Sequence, residues 1–241
     1  MKEEKTKSLV KKLHGAVAAY SMPKHARELI GSGEVTVFCG VTAAGKNTII
    51  NYLVSGGSYQ HVVSHTTRKP RTNDGVPEKN GKEYWFVSPD EMLALIEDKS
   101  FIEVKAIHGE TCYGTSTLAV DAVLKANKHP LMEIDVQGAL ELTEAVPNLR
   151  PLFVLPPSYE VWMERMKKRG GLSDEDKRRR FLSASMEIET ALDHPAFVLV
   201  VNHEVDETAE LITNGIDTSE TAQAECRELA QKLLKKIQEV H

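Results

Sequence analysis

The chain has 241 residues, 41% hydrophobic and 27% charged, with a formal net charge of −5 and a pI near 6.0. That is enough apolar sequence to bury one substantial core with attached subdomains, and the acidic balance excludes a general nucleic-acid binder whose basic residues are not locally focused. No apolar run reaches membrane-spanning length, the lysine-rich start lacks a signal-peptide core, and Cys39, Cys112 and Cys226 lack metal-type spacing, so the expected setting is reducing and cytoplasmic.

Residues 1–33 carry charges mixed with Leu9, Val10, Leu13 and Val17 at a weak helical period. Pro23 opens a second short helical segment, which ends at Gly31-Ser-Gly33. This reads as a helical extension that packs on a core or serves an assembly, with no chemistry of its own.

Next comes Val35-Thr-Val-Phe-Cys-Gly40-Val-Thr-Ala-Ala-Gly45-Lys46-Asn47-Thr48. A buried strand, a turn through two glycines, a lysine and an apolar-periodic helix form the context of a phosphate-binding P-loop. The loop from Gly40 through Ala43, Ala44 and Gly45 can wrap an anion with its amides, and Lys46 adds a point charge at the helix N-terminus. The residue after the lysine, usually Ser or Thr for reaching magnesium, is Asn47, and the Thr48 hydroxyl comes one position late.

Gly56-Gly57 ends that helix and a strand is expected from His61 to Ser64. Ser64-His-Thr-Thr67-Arg68-Lys-Pro70-Arg71 leads into a polar, turn-rich loop. Residues 83–88 read as a strand, Pro89-Asp90-Glu91 as a helix start, and Phe101–Val104 as another strand. Cys112-Tyr113-Gly114-Thr115 closes a section, residues 64–115, that reads as an inserted subdomain of short strands. Helical sequence over 116–127 precedes the apolar strand Pro130–Val136, whose acidic end, Glu133-Ile-Asp135, suits a Walker-B-type carboxylate. Leu152–Leu155 is a buried strand and Tyr159–Lys168 a helix running into the basic residues Arg165, Lys167, Lys168 and Arg169. Ser173-Asp174-Glu175-Asp176 starts a helix carrying Lys177–Arg180. Phe197–Val201 is a last strand ending at Asn202, and the tail after Gly215 is an amphipathic helix. Apolar strands alternating with helices, the first followed by a phosphate loop, predict an α/β fold of P-loop type: a parallel sheet flanked by helices.

A phosphate loop, an acid-tipped strand and two separate arginine clusters exceed what one triphosphate requires; two phosphate-bearing ligands would use them all. Phosphoryl transfer spreads negative charge over oxygens in its transition state, so catalysis is chiefly positioning and charge stabilisation, to which one arginine can contribute about 10³ to 10⁵ in rate.

The ordered set Ser64-x-Thr-Thr-Arg68-x-Pro-Arg71, Tyr84-x-Phe86-Val-Ser88, Phe101-Ile-Glu103, Tyr113-Gly-Thr115, Glu133-Ile-Asp135-Val-Gln-Gly138, Arg165-x3-Arg169-Gly170, Arg180 and Val201-Asn202 resembles the guanylate kinases, over roughly residues 35–213. The resemblance implies MgATP-dependent phosphorylation of GMP (and dGMP) to the diphosphate. In that picture Arg68, Arg71, Tyr84 and Tyr113 hold the acceptor phosphate, where guanidinium forks suit a doubly charged group better than lysines would. Glu103 accepts from the guanine N1 and N2 hydrogens, Ser64 and Thr115 donate to O6, and Gly114 belongs to the same GMP-binding set. Lys46 and the loop hold the ATP phosphates, with Arg165 and Asn202 on the ATP side. Arg169 and Arg180 resemble the catalytic arginines of a lid whose closure excludes water. Asn47 and Asp135 would act near magnesium through water, Asp135 alternatively at the base edge. The implied layout is a helical extension over 1–33, core over 34–63, 116–164 and 191–213, a GMP-binding subdomain over 64–115, a helical lid over 165–190 and a C-terminal helix over 214–241.

Several positions depart from the family pattern. Ala43 stands where Gly is usual, Asn47 for Ser or Thr, Glu133 for Asp, and His203-Glu204 for an acidic pair; the loop between Arg71 and Tyr84 is longer. Asn47 predicts reduced or differently organised metal binding rather than loss of function, and the longer loop makes strict guanine specificity less firmly implied than the fold. Trp85 reads as packing, and Lys177–Arg179 as a solvated helix face. Two alternatives stand beside an active kinase. One is a guanylate-kinase-like module that binds a phosphorylated peptide; the other is a monophosphate kinase of shifted base specificity. No nucleic acid or membrane partner is expected, and the sequence leaves open monomer or homo-oligomer.

Overall fold

Hydrophobic period and cap residues decide most elements of this chain, whose computed structural model describes residues 2–32, 35–73, 75–107, 111–168 and 174–240. Helices α1 (Lys2–Ala18) and α2 (Lys24–Gly31), the second entered through Pro23, precede strand β1 (Thr36–Gly40). Helix α3 (Lys46–Ser55) leads to β2 (Tyr59–His61), β3 (His65–Thr66), β4 (Thr72–Asn73), β5 (Val76–Pro77) and β6 (Trp85–Phe86). Helix α4 (Pro89–Glu97) opens on a capping box: Ser88 Oγ accepts the Glu91 N–H at 3.2 Å, and Glu91 Oε2 accepts the Ser88 N–H at 2.7 Å. Strands β7 (Phe101–Ile107) and β8 (Thr111–Ser116) follow, then α5 (Thr117–Lys125), β9 (His129–Glu133) and α6 (Val136–Ala145). The chain continues with β10 (Leu152–Leu155), α7 (Tyr159–Lys168), α8 (Asp174–Asp193), β11 (Val198–Val201), α9 (Val205–Asn214) and α10 (Glu220–Val240).

These elements form two units. The larger, Thr36–His61 with Leu131–His241, is built on a five-stranded sheet in the order β11-β10-β1-β9-β2. Strand β1 lies at the centre, parallel to both β9 and β10, and β10 is parallel to β11. A strand covered on both faces must be apolar throughout, and Val37, Phe38 and Cys39 are buried. Phe38, Phe153, Leu155, Trp162, Ile188 and Leu233 share its core. The loop after the central strand is therefore set against a rigid floor.

The other unit, Met1–Val35 with Val62–Pro130, carries a mixed sheet in the order β6-β3-β8-β7 and the small β4-β5 hairpin. Strand β3 is parallel to β6 and antiparallel to β8, and β7 is antiparallel to β8. Helix α1 packs on α4 and β7, and Leu13 shares a core with Met92, Ile96, Phe101 and Val104. Helix α5 lies against β8 and α2.

Several elements differ from the sequence reading, among them the strand expected over Pro130–Val136, which ends at Glu133 because Asp135 caps α6 and Val136 opens that helix. Of the strand expected at 61–64 only His61 lies in a strand, at the end of β2; the chain leaves one unit for the other between His61 and Val62, and β3 starts at His65. Only Trp85 and Phe86 of the expected 83–88 strand pair in a ladder; Ser88 is drawn off as the cap of α4. Helix α9 was not expected at all, although Val205, Thr208, Ala209 and Ile212 recur at helical spacing. Ser173, expected at the start of α8, lies outside the described residues.

Because Leu13 is buried in the smaller unit's core, Leu13→Ala removes packed atoms and leaves a cavity, at a cost of about 2–5 kcal/mol in unfolding free energy. Urea denaturation followed by circular dichroism measures it; an unchanged transition would make α1 a passenger.

Candidate active site

The phosphate loop is shaped by close approach and by left-handed backbone. Gly40 has φ +126°, and a Cβ there would lie 2.4 Å from the Val154 carbonyl oxygen. Gly45 has φ +102°, and a Cβ there would lie 2.1 Å from Asn202 Nδ2. Ala43 takes φ +65° without being glycine, a strain of roughly 1–2 kcal/mol that explains why glycine suits this place better. Gly45 is the N-cap of α3 and has no side chain to satisfy the first amides of that helix, which leaves an anion-seeking end.

The loop carbonyls are held from outside. Trp162 Nε1 donates to Thr42 O at 2.7 Å, and Ala44 O accepts from Asn202 Nδ2 at 2.8 Å and from an Arg165 guanidinium nitrogen at 3.1 Å. Arg165 also donates to the carbonyls of Asn202 and His203, each at 3.3 Å. Asn202 is buried, and its Oδ1 accepts from Thr208 Oγ1 at 3.2 Å. Both residues were expected beside ATP; the structure uses them to fix the loop itself.

Lys46 Nζ donates to Gly40 O at 2.5 Å and to Val41 O at 3.2 Å, and lies 3.7 Å from Glu133 Oε1. Asn47 is exposed, as is Thr48 one step along the helix. With its amide turned as the surroundings require, Asn47 Nδ2 donates to Glu133 Oε2 at 3.0 Å and Oε1 at 3.2 Å. Asp135 is the N-cap of α6, its Oδ1 accepting the Gly138 N–H at 2.6 Å. Magnesium takes hard oxygen ligands, keeps several waters, and binds through one or two protein groups plus phosphate. No cluster of three His, Cys, Asp or Glu among the described residues could hold a metal unaided. The Asn47 amide oxygen and the second Asp135 oxygen fit an ion that arrives on a nucleotide.

Arg180 stands half-buried on α8. Glu187 lies seven residues further on, two turns along the same face. Its carboxyl is pushed above the ordinary range, chiefly by burial, against a 2.8 Å hydrogen bond from Ser183 and the attraction of Lys46, and with repulsion from Asp135. Glu187 thus places that face of α8 on the side of the phosphate loop. Arg169 lies outside the described residues.

In the smaller unit a second constellation forms on one sheet face. Ser64 Oγ is 2.9 Å from Thr115 Oγ1, which donates to Glu103 Oε1 at 2.8 Å. Gly114 must stay bare: a Cβ there would meet the Phe101 ring at 2.9 Å. Two residues back along β8 from Thr115, on the same face, Tyr113 stands edge-on to Tyr84 with ring centroids 5.7 Å apart. The Arg68 guanidinium lies over the rings of Tyr84 and Phe86, at 5.3 and 5.7 Å. Glu78 grips Arg68 with both oxygens, at 2.8 and 3.0 Å, and accepts the Arg71 N–H at 2.7 Å. Arg68 Nε remains a buried donor with no partner among the described residues; the Arg71 side chain is exposed. Trp85, expected to pack, lies over Gly81 but is exposed.

Two charged residues of these constellations were not assigned from sequence. Glu133 was seen as a strand end, without its grip on Lys46 and Asn47. Glu78 was missed, although two arginines ten and seven residues before it called for an acid.

A guanylate kinase family model matches residues 32–219 of the chain. The guanylate kinase of Neisseria gonorrhoeae is 38% identical over 161 residues, covering 66% of this chain and 76% of that one. That of Cutibacterium acnes is 32% identical over 195 residues, covering 78% and 95%. A crystal structure of guanylate kinase from Anaplasma phagocytophilum aligns with a TM-score of 0.54 at 28% identity, covering 80% of this chain and 88% of that one.

The hydrogen bonds from Arg68, with a further one from the Arg71 N–H, hold the Glu78 carboxyl below the usual range despite burial. A depressed carboxyl stabilises the fold above its unfolded value, and that stability is lost as pH falls through the folded value. The gap in unfolding free energy between wild type and Glu78→Gln is therefore constant near neutrality and closes below about pH 4. Urea melts from about pH 7 to about pH 3 follow it; a gap that persists in acid would remove Glu78 from the pairing.

Proposed function

The chain belongs to the guanylate kinase family, and we propose that it transfers the γ-phosphoryl group of ATP to GMP or dGMP, giving ADP and the nucleoside diphosphate. The carrying observation is the hydrogen-bonded run Ser64–Thr115–Glu103 on the same strand face as Arg68, Tyr84 and Tyr113. A carboxylate and two hydroxyls suit guanine, which offers two N–H donors and one carbonyl on that edge. Adenine lacks that donor pair and would not replace the base hydrogen bonds that guanine gives Glu103, at about 1–3 kcal/mol. Thr115 and Tyr113 are separated by about 7 Å along β8, which supports a base seat and a phosphate seat at neighbouring positions of one strand.

In the reaction an oxygen of the acceptor phosphate forms a bond to the γ-phosphorus, and the bond to the β–γ bridging oxygen breaks. Arg68, Arg71, Tyr84 and Tyr113 orient the acceptor; an incoming phosphate finds the unpartnered Arg68 Nε and competes with Glu78 for the fork. Lys46, the loop backbone of residues 40–48 and Arg180, with Arg169, neutralise charge on the transferred group. Magnesium, arriving with ATP, would supply further charge neutralisation, held through water by Asn47 and Asp135. Arg165 and Asn202 serve by keeping the Ala44 carbonyl turned out. No helix among the described residues is long and apolar enough to cross a membrane, and three free cysteines suit a cytoplasmic setting.

A coupled assay with GMP, dGMP, IMP, AMP and UMP tests the reading: GMP and dGMP turn over best, and no turnover with any monophosphate at saturating MgATP would defeat it. Calorimetry that found no ATP binding would favour a phosphopeptide-binding module instead. Glu103→Gln lowers kcat/KM for GMP about ten- to a hundredfold and leaves the slow AMP rate unchanged; equal losses with both substrates would take Glu103 away from the base. Asn47→Ala weakens ATP binding about tenfold with magnesium present and not in its absence, read by calorimetry. Equal affinities for the two proteins in magnesium would free Asn47 of any metal role.

A further inference from the structure

Strand β7 is the outer strand of its sheet, so one row of its backbone groups has no neighbouring strand. At Phe101 that row is filled by a side chain. Tyr20, just beyond the end of α1, donates its hydroxyl to Phe101 O at 2.6 Å and accepts the Phe101 N–H at 3.1 Å. One phenol thereby takes the place of a strand partner. The Lys99 ammonium sits 4.8 Å from the centre of the Tyr20 ring. Burial above all, with the nearby Glu103 carboxylate, pushes the phenol up, against the bond to Phe101, so it keeps the proton it donates.

The clamp falls where the β7–β8 register shifts. Phe101 pairs with Ser116 and Glu103 with Thr115, so β7 carries one extra residue between them. A regular ladder from the same start would set Ile102 opposite Thr115 and Glu103 opposite Gly114. The bulge is what brings the Glu103 carboxylate to the Thr115 hydroxyl. Tyr20 holds both backbone groups of the residue where the bulge begins. Tyr20 precedes the segment matched by the family model, which starts at residue 32.

Resting on the guanine reading of Glu103, we propose that Tyr20 is a positioning residue for base recognition: the N-terminal extension, through the Tyr20 hydroxyl, fixes the β7 bulge and with it the aim of Glu103. The extension then contributes to substrate choice without touching substrate.

Tyr20→Phe keeps the ring, its packing and the Lys99 contact, and removes only the hydroxyl. It raises KM for GMP roughly three- to tenfold, the scale of one or two lost hydrogen bonds, with kcat changed less than about twofold. The preference for GMP over IMP, which lacks the 2-amino group, narrows in parallel. A lowered melting temperature with KM for GMP and the GMP-to-IMP ratio unchanged would overturn the inference and leave Tyr20 a structural brace. Absence of wild-type turnover with GMP would instead sink the guanine reading itself, so the two failures are told apart by the wild-type control.

Discussion

A backbone loop can hold an anion only if its carbonyl oxygens are turned away and satisfied elsewhere. That constraint organises the larger unit. Thr42 O is taken by the indole of Trp162, and Ala44 O by Arg165 and Asn202, all of which are anchored outside the loop. Each anchor sits on an element whose own packing is settled: Trp162 is buried on α7, and Asn202 is buried directly after β11. The glycines complete the arrangement, since Gly40 must pass over the Val154 carbonyl and Gly45 over Asn202. The parallel sheet thus matters to function through the positions it gives three hydrogen-bond donors.

Strong charges in both units already have partners that a substrate could replace. Lys46 leans on Gly40 O, Val41 O and Glu133, and Arg68 on Glu78. A buried cation without such company would carry a desolvation penalty of several kcal/mol. The partners keep the side chains in rotamers aimed at their seats, so binding phosphate exchanges one anion for another instead of ordering a loose side chain. Glu78 does a second task through the Arg71 N–H, tying the loop that follows Arg68 to the same carboxylate.

Much of this was legible in the chain, for a physical reason: strand, turn and cap signals are local. Two glycines and a lysine after an apolar run locate the loop, Pro89-Asp90-Glu91 marks the start of α4, and the helix expected over Tyr159–Lys168 keeps those bounds. What escaped was non-local. The Tyr20–Phe101 clamp joins residues 81 apart and leaves no periodic trace. The bulge at Phe101–Glu103 is a property of two strands together, invisible in either alone. Asn202 and Arg165 lie in the right neighbourhood by motif, yet whether they face a nucleotide or a carbonyl depends on the fold around them. Arg169 keeps its place in the motif only, since the described residues stop at Lys168 and resume at Asp174.

Asn47 and Glu133 look like two separate departures in the sequence, and in the structure they touch. A serine or threonine hydroxyl after the lysine can donate its proton to a carboxylate and offer a lone pair to a metal-bound oxygen, with one atom serving both. An amide divides those tasks between two atoms. Nδ2 faces Glu133, within 3.2 Å of both its oxygens, and Oδ1 is then turned away from the carboxylate. A glutamate reaches one methylene further than an aspartate would, and it answers a neutral donor on one side and the Lys46 ammonium on the other. Either replacement alone would upset this balance: an aspartate would draw back from the amide, and a hydroxyl would crowd less but leave one Glu133 oxygen without its donor. The altered loop is better understood as one substitution spread over two positions, with the lysine as their common neighbour.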